Sequence, residues 1–161
     1  MRSNREESLQ QQESKSDDPS LYRHETLQNV AEQFSQHLTH SQLLQISPTA
    51  LAYLGDAVYE LYVRSLYLLP SQRPESYHRL VVAKVRAETQ AQLLRSLSPY
   101  LNSTESDIVR KGRNAAKKRS RRVDPHIYQQ ATSFETLIGY LYLSDMERLK
   151  ELLGKLELKR S

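Results

Sequence analysis

The chain has 161 residues, 38% of them apolar, with four glycines and no cysteine. Disulfides and thiolate metal sites are excluded, and the leucine-, glutamine- and alanine-rich mix favours helix over sheet in a single domain. A formal net charge of +4 is mild, so where the charge lies matters more than its total.

Residues 1–45 read as a polar N-terminal extension, largely disordered because it has too few apolar groups to offset the entropy of ordering. A short helix fits through Leu27, Val30, Ala31 and Phe34. The N-terminus has neither the apolar core of a signal peptide nor the acid-poor pattern of a transit peptide. No apolar run nears the ~20 residues of a membrane-spanning helix. The expectation is a soluble cytoplasmic protein with no membrane partner. The compact part, residues 46–161, starts near Ile46. Ser47 is the predicted N-cap and Pro48 the first helical position of a helix running to Pro70. Leu51, Leu54, Val58, Leu61 and Leu68 form its apolar stripe. A second helix is predicted from Pro74 to near Pro99. A third opens with Ser103 or Thr104 as cap, a fourth with Asp124 as cap and Pro125 at the first position. An amphipathic helix, MERLKELLGKLELK, closes the chain. No segment alternates as a strand does, and no internal repeat is evident; the predicted fold is all-α.

Two carboxylates stand out. Asp56 is the only charged residue between Ile46 and Glu60, and Glu135 is the only one from Tyr128 to Leu143. Both lie in the most apolar helices. An isolated buried carboxylate costs on the order of several kcal/mol, comparable with the whole stability margin. Each acid therefore turns outward, finds an arginine, or belongs to a site that needs negative charge. Carboxylates converging from different helices make an oxygen-ligand site for magnesium or manganese. Glu60 is one turn after Asp56 and either extends that site or pairs with Arg64, one turn further; pairing is the favoured reading. Gly55 precedes Asp56, and Gly139 lies one turn after Glu135. Helices touching at these glycines would bring the acids together.

The sharpest charge feature is RKGRNAAKKRSRR, Arg110 to Arg122, with eight lysines and arginines and no acid. It is predicted as a loop between helices, broken by Gly112 and Asn114. A basic run is most often a solvated surface. Set between ordered helices just before Glu135, it reads instead as a phosphate-binding segment. A carboxylate–metal site beside a polycation fits metal-assisted attack on a phosphodiester. The five histidines show no zinc spacing. No phosphate-binding glycine loop, dinucleotide fingerprint or nucleophile elbow occurs. The tyrosines Tyr53, Tyr59, Tyr62, Tyr67, Tyr140 and Tyr142 read as core and interface.

With these residues in place, a resemblance can be stated. YLGDAVYELYVR resembles the signature helix of the ribonuclease III family, and FETLIGYLYL resembles that family's second acidic motif, in the same order. With VRKGRNA between them, the chain is most similar to the short branch of the family, Mini-ribonuclease III, from Ile46 onward. The resemblance implies the helical bundle of the ribonuclease III endonuclease domain and a magnesium-dependent (manganese as substitute) endoribonuclease acting on double-stranded RNA. It implies a homodimer and, for the short branch, trimming of the large-subunit (23S) ribosomal RNA precursor, with a ribosomal protein or pre-ribosomal particle as a further partner. Asp56 and Glu135 carry over as catalytic metal ligands. The family's other two acids fall at Ala52 and Thr132, so Glu60 and Thr132 are auxiliary candidates. Arg110, Lys111, Arg113, Asn114, Lys117, Lys118, Arg119, Arg121 and Arg122 are the candidate RNA-binding residues. They would supply part of the grip that longer members draw from a separate double-stranded-RNA-binding domain. The exposed side of the Asp56 helix, with Tyr53, Ala57 and Tyr62, is the expected dimer contact. The rival reading is a helical RNA-binding module that has lost its metal.

Overall fold

A computed structural model describes residues 38–116 and 124–158. The expectations for residues 1–37, and for Lys117, Lys118, Arg119, Arg121 and Arg122, lie outside the described residues. All regular structure in the described part is helical: α1 His40–Gln45, α2 Pro48–Leu66, α3 Pro74–Val85, α4 Ala87–Leu97 with a 3-10 turn at Ser98–Tyr100, α5 Ser103–Ala115, α6 Pro125–Ser144 and α7 Met146–Gly154. The helix α1 lies ahead of Ile46 and buries Leu43. Among the described residues no helix is long and apolar enough to cross a membrane.

Local chemistry sets most of the helix starts. The Ala50 amide donates to Ser47 Oγ at 3.1 Å ahead of Pro48, and the His126 and Ile127 amides donate to Asp124 Oδ1 ahead of Pro125. Thr39 and Gln42 form a reciprocal capping box on α1. The predicted cap of α5 moves by one residue. Asn102, with extended backbone, accepts from the Glu105 amide at 2.9 Å, and Glu105 accepts in return from the Asn102 amide. Ser103 already lies inside the helix.

The single helix expected from Pro74 to Pro99 is two. Arg86 is extended (ψ 153°), ending α3 and starting α4. The break is held by Thr89, whose hydroxyl reaches back to the Ala83 carbonyl at 2.7 Å and satisfies a freed acceptor. Nor does α2 reach Pro70; it ends at Leu66, and Leu68 is exposed, as is Leu61. The buried face of α2 is instead Leu51, Ala52, Gly55, Val58, Tyr59, Tyr62 and Val63.

The centre of the bundle is α6, flanked by α2, α4 and α5. Phe134, Leu137, Ile138 and Leu141 on α6 pack with Val58, Tyr59 and Val63 of α2, Leu94 and Leu97 of α4, and Leu149, Leu152 and Leu153 of α7. The glycines fix how close the helices come. A Cβ on Gly55 would fall on the Glu135 carbonyl, 2.7 Å from the Gly139 amide nitrogen; one on Gly139 would fall on the Leu51 carbonyl. A Cβ on Gly112 of α5 would lie 2.5 Å from Thr136 Oγ1 and 3.1 Å from Ser133 Cα. At the far end, Arg148 of α7 donates to both carboxylate oxygens of the buried Glu105, at 2.7 and 3.0 Å, and to the Tyr100 carbonyl at 2.7 Å.

Gly55→Ala should lower unfolding free energy by about 3 kcal/mol, because its methyl group meets backbone rather than a side chain that can rotate away. Gly154→Ala is the control: nothing lies within 4 Å of its Cβ position, and a gain of roughly 0.5–1 kcal/mol is expected from helix propensity. Urea unfolding of both variants measures the contrast.

Candidate active site

The backbone crossing of α2 and α6 brings Asp56 and Glu135 together. Asp56 follows Gly55, and Glu135 is the residue whose carbonyl Gly55 touches. One turn after Asp56, Tyr59 meets Phe134 edge to face, ring centroids 4.9 Å apart and planes at 88°. That contact, with the Tyr59 hydroxyl donating to the Lys84 carbonyl at 3.2 Å, fixes the rotation of α2 against α6.

The two acids differ in surroundings. Asp56 is on the exposed side of α2. Partial burial, and then the negative charge of Glu60, hold its carboxyl above the usual range. Glu135 is set deeper. Burial first and the Asp56 charge second push it up to about 8, with the neighbouring Gln90 amide acting in the opposite direction. A buried carboxylate whose proton affinity is raised by a second acid beside it is a place where positive charge is favoured, and a divalent cation supplies that charge.

Both auxiliary candidates make other contacts. Glu60 pairs with Arg64 through both Nε and Nη2, the pairing the sequence reading favours. Thr132 is buried on α6, and its carbonyl accepts from the Thr136 hydroxyl at 2.7 Å. Ala52 is buried one turn before Asp56. Among the described residues no group of three or more His, Cys, Asp or Glu side chains converges on one point. Two carboxylates, one of them open to water, still fit magnesium, which holds on to several waters and commonly takes only one or two carboxylates.

The candidate RNA-binding residues that the structure describes lie on a helix, where a loop was expected. Arg110, Lys111, Arg113 and Asn114 belong to α5, which continues to Ala115. Gly112 does not break it; it is buried where α5 crosses α6 at Ser133 and Thr136, so its missing side chain serves packing. The last turn of α5 is thereby pressed against the helix that carries Glu135. All four candidates are exposed. Arg110 pairs with Asp107 at 3.1 Å. Cations at a helix C-terminus also complement its partial negative charge. On the proposed dimer face, Tyr53 is 85% exposed and Ala57 is exposed, but Tyr62 is buried in the core. Tyr62 lies on the side of α2 that meets the rest of the bundle, so it cannot form that contact.

Gln90 was missed in the sequence. It is a polar side chain at a core position of α4, in one stripe with Ala91, Leu94 and Leu97. A glutamine in an otherwise apolar stripe is the signal that would have found it.

Residues 49–146 match the family model described as Ribonuclease III domain. The chain is similar to Mini-ribonuclease 3 of a Synechocystis species, 59% identical over 113 residues that cover 70% of this chain and 79% of that protein. Similarity extends to Mini-ribonuclease 3 of a Thermoanaerobacter species, 40% identical over 72% of this chain and 84% of that protein. The fold is similar to a crystal structure of a protein from Fusobacterium nucleatum, with TM-score 0.64 and 29% identity over 68% of this chain and 91% of that one.

The raised Glu135 carboxyl has a consequence for stability. Its folded value is above the unfolded one, so stability is fully present below about 4.5 and falls as pH rises to about 8, over which the unfolded chain has shed a proton the fold retains. In metal-free buffer the loss across that window is expected to be roughly 2–4 kcal/mol. Glu135→Gln should flatten it; an unchanged slope in denaturation curves taken at several pH values would contradict this.

Proposed function

The chain belongs to the ribonuclease III family, in its Mini-ribonuclease III branch, and is an endoribonuclease; from that premise we propose that it cuts double-stranded RNA with a magnesium ion held by Asp56 and Glu135. The observation that carries the reading is the glycine crossing, which sets two lone acids of the most apolar helices beside one contact, with the cationic last turn of α5 packed against the helix that carries Glu135. A hard divalent cation, magnesium or manganese, supplies the activation of water and offsets negative charge on the scissile phosphate. Asp56, the more exposed acid, faces the side from which substrate and solvent arrive. Glu135, fixed by core packing on α6, gives the site its rigid half. Arg110, Lys111, Arg113 and Asn114 hold the phosphate backbone beside it. Lys117, Lys118, Arg119, Arg121 and Arg122 follow in sequence and extend the cationic run. Such contacts read the shape of a duplex rather than its sequence. Glu60 and Thr132 act at most through water.

The substrate we infer is the large-subunit (23S) ribosomal RNA precursor, met in the cytoplasm free or within a pre-ribosomal particle, supported by the relatives' branch. We further infer a homodimer joined along the exposed face of α2, where Tyr53, Ala57 and Leu61 recur every fourth residue. Two sites then face the two strands of one duplex.

The deciding experiment is cleavage of a duplex RNA, including a ribosomal precursor stem, with and without magnesium. The wild type should cut only with metal. Asp56→Asn should bind but lose at least ~100-fold in rate, whereas the Lys111→Ala, Arg113→Ala double variant should lose binding, its salt dependence shallower by about one per cation removed. A wild type that binds every duplex and cuts none would leave a binding module. For the dimer, Tyr53→Glu should shift sedimentation from two subunits toward one; an unmoved dimer would place the interface elsewhere.

A further inference from the structure

Gln90 is the residue beside this site for which the proposed reaction has no task. It lies on α4 where that helix packs against α6, and is 1% exposed. Its companions on that face, Ala91, Leu94 and Leu97, are apolar, so a leucine there would satisfy packing without burying an amide. Among the described residues its Nε2 is the buried side-chain polar atom without a hydrogen-bond partner. Such an atom calls for an explanation.

Its surroundings supply one. The amide is next to the Glu135 carboxyl, close enough to favour the ionised form but short of a hydrogen bond of ordinary geometry. The hydroxyls that flank Glu135 on α6 donate to backbone carbonyls: Ser133 to Gln129 at 2.8 Å, and Thr136 to Thr132 at 2.7 Å and to Pro48 at 3.4 Å. Gln90 is a neutral donor beside this acid. A carboxylate that binds a cation through one oxygen needs a donor on the other to hold its orientation. Glutamine suits the place because its amide donates at any pH and brings no charge to oppose the cation.

We propose that Gln90 is a positioning residue for the metal, its Nε2–H donating to the Glu135 carboxylate oxygen turned away from the cation and so fixing the other oxygen for coordination. This rests on the reading of Glu135 as a ligand. Gln90 touches neither RNA nor metal; it acts through Glu135.

The test is manganese binding to the RNA-free protein by titration calorimetry, alongside thermal melts in chelator, for the wild type, Gln90→Leu and Glu135→Gln. Gln90→Leu should melt in chelator at or above the wild-type temperature, having lost an unpaired buried amide, yet bind manganese about 10-fold more weakly. Its cleavage of duplex RNA should recover toward the wild-type rate at saturating metal, as expected of a positioning role. Gln90→Met takes its place if the branched side chain prevents folding. Unchanged affinity in a variant that melts lower would overturn the proposal and make Gln90 a packing residue. Glu135→Gln separates the two readings. If it abolishes binding while Gln90→Leu does not weaken it, only the positioning role fails. If Glu135→Gln binds as tightly as the wild type, the ligand reading fails and takes the proposal with it.

Discussion

Everything else in this bundle depends on the backbone contact between α2 and α6. Gly55 and Gly139 lie against each other so closely that neither has room for a methyl group. A glycine in a helix interior costs about 1 kcal/mol relative to alanine, and here two are needed at one crossing. What the crossing returns is proximity. Two helices separated by ordinary side chains lie ~8–10 Å apart, whereas here the backbones themselves touch. With the side chains removed, Asp56 comes close enough for its charge to raise the Glu135 carboxyl. Tyr59 and Phe134 then set the rotation, so the crossing has one register.

The cost of this arrangement falls on Glu135. Removed from water and facing a second acid, its carboxyl keeps a proton up to about pH 8. A core designed for stability alone would place an apolar residue there. The small residues one turn before each acid limit that cost. Ala52 and Thr132 are small and buried and carry no charge, so the site adds no third or fourth acid to the repulsion. Fewer acids also mean that water supplies more of a cation's ligands, and a hard ion such as magnesium accepts that readily.

The cationic side of the site is positioned by a different device. The far end of α5 is pinned where Glu105 caps the helix and takes two hydrogen bonds from Arg148. Arg148 is held in turn by the Tyr100 carbonyl and by Glu151. This largely buried pair makes several hydrogen bonds, which offset the cost of taking the charges out of water. At the other end Gly112 seats α5 on Ser133 and Thr136. Between the two anchors α5 has one direction, and its last turn comes to rest against the helix that carries Glu135.

Local interactions within a few residues were legible in the chain itself. Ser47–Pro48 and Asp124–Pro125 announced their helices because a cap needs only the next three amides. The lone acids and the two glycines were visible for the same kind of reason: each is out of place by the rules of its own helix. Tertiary structure decided the rest. Whether the acids converge, which face of α2 is buried, and that Tyr62 points inward while Leu61 and Leu68 do not, depend on partners tens of residues away. Gly112 looked like a breaker because a glycine's propensity is local, whereas its use here is contact with α6. The break at Arg86 hid behind good helix formers because a Thr89 hydroxyl bonding back to Ala83 can replace a turn of helix once packing favours it. Gln90 looked like one more glutamine until the bundle closed over it beside Glu135, since burial belongs to the fold and not to the residue.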